Sequence, residues 1–299
     1  SQYVKMMAGV KDLPAVKEML ETANKILDFD LLELCLKGPE AELERTKFCQ
    51  PAMYVAGLAG MEKLKSTQPE KVDRRQAVAG LSLGEYTALT AAGVFDFETG
   101  LKVVKLRGEA MQEAAEASQQ AMLSVAGLGK EILDKLCSES VEEPADVCQV
   151  ANFLFPNGFS CAGTLGAIQR LETKVKATEG CLQAKMLKTS GGFHTKLMEP
   201  AREKLLAALK DAEPKMKPPR CDVYMNITGK NISAGTPPGE ILPLLADQLV
   251  NCVLWEPSVS GMIQDGLTEF FECGPMKQLK SMMKRIDTEA FGKTTNIDV

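Results

Sequence analysis

The chain has 299 residues, 45% of them hydrophobic and 25% charged, which suits one large domain or two smaller ones around a packed core. A net charge of −5 argues against a nucleic-acid footprint, and no apolar run approaches the length of a membrane span. Nine cysteines without a CxxC pair and a single histidine offer no metal site, so the thiols are expected to be reduced and packed as small apolar residues.

Taken in chain order, apolar residues at 13, 16, 20, 23 and 27 make one face of a helix over 11–27. Gly38-Pro39 breaks the chain, and Pro51 is placed to open the next helix, reaching about Leu64. Residues 65–75 are polar and charged and read as a surface connection. A short apolar strand at 76–79 then runs into Gly80-Leu81-Ser82-Leu83-Gly84, and 85–92 favours helix. Strand, Gly-x-Ser-x-Gly, helix is the setting of a nucleophile elbow, in which glycines permit a tight turn that exposes the serine oxygen. The helix that follows aims its N-terminal N–H groups toward that oxygen.

Asp96 reads as the N-cap of a helix reaching about Ala117, with Phe97, Leu101, Val104, Gly108 and Met111 as its core stripe. Arg107 lies roughly 40° from Met111 on the helical wheel, at the edge of that stripe. It is either a snorkelling or salt-bridged side chain, or an anion receptor at the border of a cleft, where guanidinium matches carboxylate bidentately. From 121 to 188 the pattern becomes strand 121–128, helix 130–139, strand 148–155, strand 159–163, helix 167–178 and strand 182–188. The order β-α-β-β-α-β is that of a ferredoxin-like unit, read here as a small subdomain inserted into a larger α/β one. His194 follows two glycines on the way back into the large domain. A helix over 196–211, a strand over 222–226, a helix over 240–250 containing Gln248, a helix over 256–264, a strand over 268–272 and a last helix over 276–286 complete the chain.

A serine nucleophile needs a base, and His194 is the only histidine. No acidic residue stands out as its partner; a neutral acceptor, such as a carbonyl near Gln248, could orient the imidazole instead. Serine, arginine and histidine together point to acyl transfer of a substrate bearing a free carboxylate. Two other readings compete: a serine hydrolase (thioesterase or esterase), which would gain nothing from a buried cation if its esters are neutral, and a non-catalytic carrier-binding module of the same fold.

Several islands in one order carry a family resemblance. They are Gln50-Pro51-Ala52, Gly80 to Tyr86 (GLSLGEY), Arg107 to Ala114 (RGEAMQEA), Gly192-Phe193-His194-Thr195, Leu197 to Ala201 (LMEPA), Gln248-Leu249 ahead of Trp255, and Gly274-Pro275. Over almost its whole length the chain resembles the malonyl-CoA:acyl-carrier-protein transacylases. That resemblance implies an α/β-hydrolase-like large domain (1–119 and 190–299) with an inserted ferredoxin-like subdomain (120–189). It implies malonyl-CoA and acyl carrier protein as partners, no cofactor, and a monomer. Ser82 would carry the malonyl ester, His194 would act as base and acid, and Arg107 would hold the malonyl carboxylate. The Leu83 N–H would contact the oxyanion, Gln50 would line the site, the Gln248 carbonyl would orient His194, Asn226 would lie nearby, and Phe193 fits a malonyl-selective pattern.

Three departures from the family pattern stand out. Its N-terminal strand ends in Gly-Gln-Gly-Ser-Gln, of which this chain begins with Ser1-Gln2. The natural protein is therefore expected to be longer, and this form to be weakened by loss of an oxyanion donor worth roughly 3 kcal/mol. Leu81 replaces a histidine of the bacterial members, and Met276 stands where a glycine commonly follows Gly-Pro. The Leu81 departure favours an organelle interior, mitochondrion or plastid, with the cytoplasm as the other choice. An acidic carrier protein needs a basic patch; Lys277, Lys280 and Lys284 share a helix face and are the first candidates, with Lys185, Lys188 and Lys196 as rivals.

Overall fold

The computed structural model describes residues 1–189 and 191–299. Helices α1 (Pro14–Ile26), α2 (Leu31–Lys37) and α3 (Glu40–Leu43) come first, with Val16, Leu20 and Ala23 on the buried side of α1. Helix α4 (Thr46–Thr67) is buried on nearly every side between Gln50 and Gly60, so it runs through the middle of the main apolar core. Small residues allow this: a Cβ on Gly60 would stand 2.7 Å from the Gly274 backbone nitrogen. The helix does not open at Pro51 as expected. It opens a turn earlier because the Thr46 N–H finds a partner in Gln112 Oε1 at 2.9 Å. Pro51 therefore lies inside the helix, where its missing N–H leaves the carbonyl four residues back without a helical partner. The expected surface connection over 65–75 holds the end of α4 and a short helix, α5 (Pro69–Asp73).

Strand β1 (Ala77–Ala79) leads into α6 (Leu83–Ala91), and α7 (Phe97–Glu116) starts at Asp96, whose side chain accepts the Thr99 N–H at 2.6 Å. Next come β2 (Gln120–Ala126), α8 (Lys130–Glu139), β3 (Cys148–Phe155), β4 (Gly158–Thr164), α9 (Leu165–Lys176) and β5 (Gln183–Met186). A 3₁₀ turn at Lys196–Met198 precedes α10 (Glu199–Ala212), β6 (Asp222–Tyr224), β7 (Asn231–Ile232) and α11 (Pro238–Asp247). Gln248 is the residue that caps α11 rather than one within it. The chain closes with β8 (Val253–Leu254), α12 (Trp255–Gln264), β9 (Phe270–Cys273), α13 (Gln278–Ile286), α14 (Thr288–Gly292) and β10 (Thr294–Ile297).

The expected last helix is thus followed by a further helix and a strand. β10 is short and polar, and it is extended because it pairs in parallel with β9, Thr294 opposite Phe270. α13 begins two residues later than expected. Met276, at φ +66°, is fixed by its N–H to Asp298 Oδ1 and its carbonyl to Asn296 Nδ2.

The protein is an α/β structure with mixed sheets. β1 runs parallel to β6, which pairs antiparallel with β7. The strands from β2 to β5 form an antiparallel sheet in the order β5-β2-β4-β3, and β8 adds to its edge parallel to β3. One apolar cluster joins α1, α4, α6, α7, α10 and α11; a second lies between the five-stranded sheet and α8 and α9. Each fully buried Leu or Val there contributes about 1.5–3 kcal/mol relative to exposure. A third cluster, around Trp255, Val259 and Met283, takes in Leu81 beside the elbow.

Candidate active site

The elbow lies where β1 and β6 end side by side, Ala79 opposite Tyr224. The C-terminal edge of parallel strands is where α/β proteins gather their ligand-binding groups. Gly80 must be glycine here, since a Cβ would lie 1.9 Å from the Gly84 carbonyl oxygen. Ser82 itself adopts φ +53° and ψ −105°, a conformation that costs a side-chain-bearing residue roughly 1–3 kcal/mol. Asn226 holds the turn in that shape: its Oδ1 accepts the Ser82 N–H at 2.7 Å, and its Nδ2 donates to the Gly80 carbonyl at 2.8 Å. Leu83 is the first residue of α6, so its N–H is one of the donors that no carbonyl of the helix reaches.

Ser82 Oγ meets two groups. His194 Nε2 lies 2.9 Å away and Arg107 Nη2 lies 3.1 Å away. His194 Nδ1 is 2.8 Å from the Gln248 backbone carbonyl. A carbonyl can only accept, so Nδ1 carries the proton and Nε2 is left to accept from the serine hydroxyl. His194 is 4% exposed and takes φ +62°. Burial pushes its pKa down to about 4; the bond to the Gln248 carbonyl opposes the shift and the Arg107 charge reinforces it. The imidazole is therefore neutral at physiological pH and able to take a proton.

Arg107 is 1% exposed, so the snorkelling reading is excluded, and no carboxylate oxygen lies within ion-pair distance of it among the described residues. Its guanidinium instead donates to two amide oxygens, Gln50 Oε1 at 2.6 Å and Gln248 Oε1 at 2.8 Å, and rests 5.2 Å from the centre of the Tyr86 ring. Burial lowers its pKa from the ordinary value while Tyr86 and Glu85 oppose the change. Arginine starts high enough to remain charged. Gln50 is turned by a second contact, its Nε2 to the Met111 sulfur at 3.2 Å. The result is a buried guanidinium touching a serine that also touches a neutral imidazole.

Phe193 precedes His194 in the chain and packs on Met122, Ala151 and Ala162 of the five-stranded sheet, which ties that sheet to the site. Leu81 packs with Trp255, Val253 and Met283 in place of any polar contact. Lys277 and Lys284 are exposed; Lys280 and Lys284 reach over the Phe291 ring, 5.3 and 5.6 Å from its centre. Lys277 precedes α13 as its N-cap residue, so only Lys280 and Lys284 share the expected helix face; none of the three touches the serine, though α13 shares the apolar cluster of Leu81.

The residue that sequence reasoning assigned no role is Glu85. It sits in the first turn of α6, 1% exposed, with Oε1 accepting the Asn226 N–H and Oε2 accepting from Gln248 Nε2, both at 2.6 Å. Burial pushes its pKa up to about 8; the bonds from Asn226 and Gln248 and the charge of Arg107 act against that rise. The signal available was a charged residue in a segment otherwise made of small and apolar ones.

Comparison with known proteins agrees with this geometry. Residues 14–286 match the family model described as an acyl transferase domain. A mouse protein named malonyl-CoA-acyl carrier protein transacylase, mitochondrial, is 41% identical across the whole chain and 79% of its own length. The crystal structure of an acyl-carrier-protein S-malonyltransferase from Burkholderia pseudomallei superposes with a TM-score of 0.90 at 32% identity, covering 99% of this chain and 92% of that one. A malonyl-transacylase solved in complex with its type II PKS acyl-carrier protein gives a TM-score of 0.88 at 31% identity, covering 99% of this chain and 91% of its own. The chain belongs to the acyl transferase family and, within it, to the malonyl-CoA-acyl carrier protein transacylases.

Proposed function

We propose that this chain transfers a malonyl group from malonyl-CoA to the phosphopantetheine thiol of acyl carrier protein, in the service of fatty acid synthesis. The observation that carries the reading is that one serine oxygen is shared between a neutral imidazole and a buried guanidinium that has no anion of its own. A hydrolase of neutral esters has no use for that cation, whereas a malonyl group brings the missing carboxylate. Arg107 binds that carboxylate through N–H groups now pointing at Ser82, which leaves the thioester carbonyl beside Oγ. Ser82 Oγ attacks the carbonyl carbon as His194 Nε2 takes its proton, and the Leu83 N–H stabilises the oxyanion. The C–S bond breaks, His194 returns the proton to the coenzyme A sulfur, and a malonyl-Ser82 ester remains. The carrier thiol then repeats the steps in reverse, giving its proton to His194 and displacing Oγ, which is reprotonated. No cofactor enters the scheme.

Further readings belong to the same proposal. The large part of the chain (1–119 and 190–299) is α/β-hydrolase-like, for which the elbow at the end of a parallel strand is the support. Residues 120–189 are ferredoxin-like, supported by the βαββαβ order and the β5-β2-β4-β3 arrangement. Carrier protein docks on Lys277, Lys280 and Lys284, supported by the proximity of α13 to Leu81. The protein is a monomer that works inside a mitochondrion, in keeping with the name of the mouse relative.

Intact-protein mass spectrometry after incubation with malonyl-CoA tests the function. A malonyl adduct is expected that is absent in Ser82→Ala and that leaves on addition of holo-carrier protein, with malonyl appearing on the carrier. Rapid hydrolysis without transfer would establish a thioesterase instead, and no adduct at all a non-catalytic module.

A further inference from the structure

We infer that Glu85 is a positioning residue for malonyl binding, acting through the side-chain amide of Gln248 to keep Arg107 aimed and free of any anion; this rests on the malonyl-transfer reading above. The Gln248 amide lies between two groups of opposite demand. Its Oε1 accepts from Arg107 Nη2 at 2.8 Å, and its Nε2 donates to Glu85 Oε2 at 2.6 Å and to the Ser82 carbonyl at 2.9 Å. A guanidinium only donates and a carboxylate only accepts, so the amide fits in one orientation and not the other. Glu85 is fixed in turn because its other oxygen accepts the Asn226 N–H at 2.6 Å. A direct Glu85–Arg107 pair would fill the receptor. The interposed amide lets the carboxylate set the geometry of the cation while leaving its anion-binding edge open.

The same residue, Gln248, orients His194, but through its backbone carbonyl rather than its side chain. The two roles are therefore separable. In Glu85→Gln, an NH₂ group must face either the Asn226 N–H or the Gln248 NH₂. With that NH₂ toward Gln248 two donors face each other, and the amide is left to the Ser82 carbonyl at 2.9 Å and Asn226 Oδ1 at 3.3 Å, so its oxygen is no longer held firmly on Arg107. Arg107 loses one of its two fixed amide acceptors, whereas the imidazole keeps its own.

The test is single-turnover formation of malonyl-Ser82, followed by intact mass against malonyl-CoA concentration at about pH 8.5, above the value of about 8 to which burial raises the Glu85 carboxyl. Glu85→Gln should raise the half-saturating concentration about tenfold while the maximal rate stays within about threefold. Gln248→Met, which removes the amide but keeps the backbone carbonyl, should do the same. The double variant should be no worse than Gln248→Met alone, because Glu85 acts through the amide that is no longer there. A loss confined to maximal rate, additive losses in the double variant, or wild-type half-saturation in either single variant overturns the assignment. Should Glu85→Gln fail to fold by its melting curve, Gln248→Met decides alone: wild-type half-saturation there rejects the proposal. Absence of the adduct in the unmutated chain would fail the transfer reading itself, a result separate from any of these.

Discussion

The elbow and the five-stranded sheet are built on opposite plans. Between β2, β4 and their helices the core is apolar, from Leu123, Val125 and Phe159 to Ile168, Leu171 and Val175, and most of its pairing is between neighbouring strands in one short stretch of chain. At the elbow the buried groups are polar: Glu85, Arg107, His194, Asn226, Gln248 and Gln50. Each finds its partner far along the sequence, Ser82 to His194 across 112 residues and Gln248 to Glu85 across 163. The first plan contributes stability by excluding water and tolerates a change of shape. The second contributes a fixed set of directions, and there a lost partner leaves a buried charge or dipole unsatisfied.

That contrast can be broken most severely at the base. His194→Ala should slow malonyl-Ser82 formation by about 10²–10⁴-fold per folded molecule, as measured by single-turnover mass spectrometry with the folded fraction taken from calorimetry. Leu171→Ala on α9, in the core against the five-stranded sheet, should do the reverse. It is expected to cost about 2–5 kcal/mol in urea unfolding while the rate per folded molecule stays near wild type. If that rate fell in step with stability, the contact that Phe193 makes with the five-stranded sheet would be part of the polar plan after all. Charge reversal by Lys277→Glu with Lys280→Glu should raise the carrier-protein KM several-fold, less at high salt, and spare the malonyl-CoA half-reaction. Unchanged carrier kinetics would remove α13 as the docking face.

The smallest effect expected is with pH. A solvated imidazole would lose about tenfold in its neutral form by pH 5.5. Burial of His194 moves its pKa down to about 4, so the base stays unprotonated. At saturating malonyl-CoA, where protonation of Glu85 below about 8 does not limit binding, the rate of acyl-enzyme formation should hold within about twofold from pH 7.5 to 5.5 before falling toward 4. An acid limb centred near 6.5 would show that the site is wetter than its structure.

Legibility in the sequence follows the same division. The sheet of β2 to β5 could be read almost strand by strand, because alternation, turn residues and helical periodicity are local signals. Ser82, Arg107 and His194 were also readable, since a Gly-x-Ser-x-Gly turn, a cation at the edge of an apolar stripe and a lone histidine are conspicuous. Glu85 was not. In the first turn of a helix an acidic residue has an ordinary explanation, favourable interaction with the helix dipole, and nothing nearby shows that the Asn226 N–H, 141 residues on, will enclose it. The start of α4 and the presence of β10 escaped for a similar reason. Gln112 decides the first and the free edge of β9 the second, and neither is visible within a local window.

One property of the elbow reaches beyond its chemistry. Both reacting residues, Ser82 at φ +53° and His194 at φ +62°, occupy backbone conformations that glycine would adopt without strain. Substituting glycine at either position should relieve that strain while abolishing transfer; at Ser82, where only a hydroxymethyl group is removed, the melting temperature should rise. Folding and catalysis thus select in opposite directions at these two sites. A copy of this sequence freed from its task would be expected to shed its backbone strain first at these two positions.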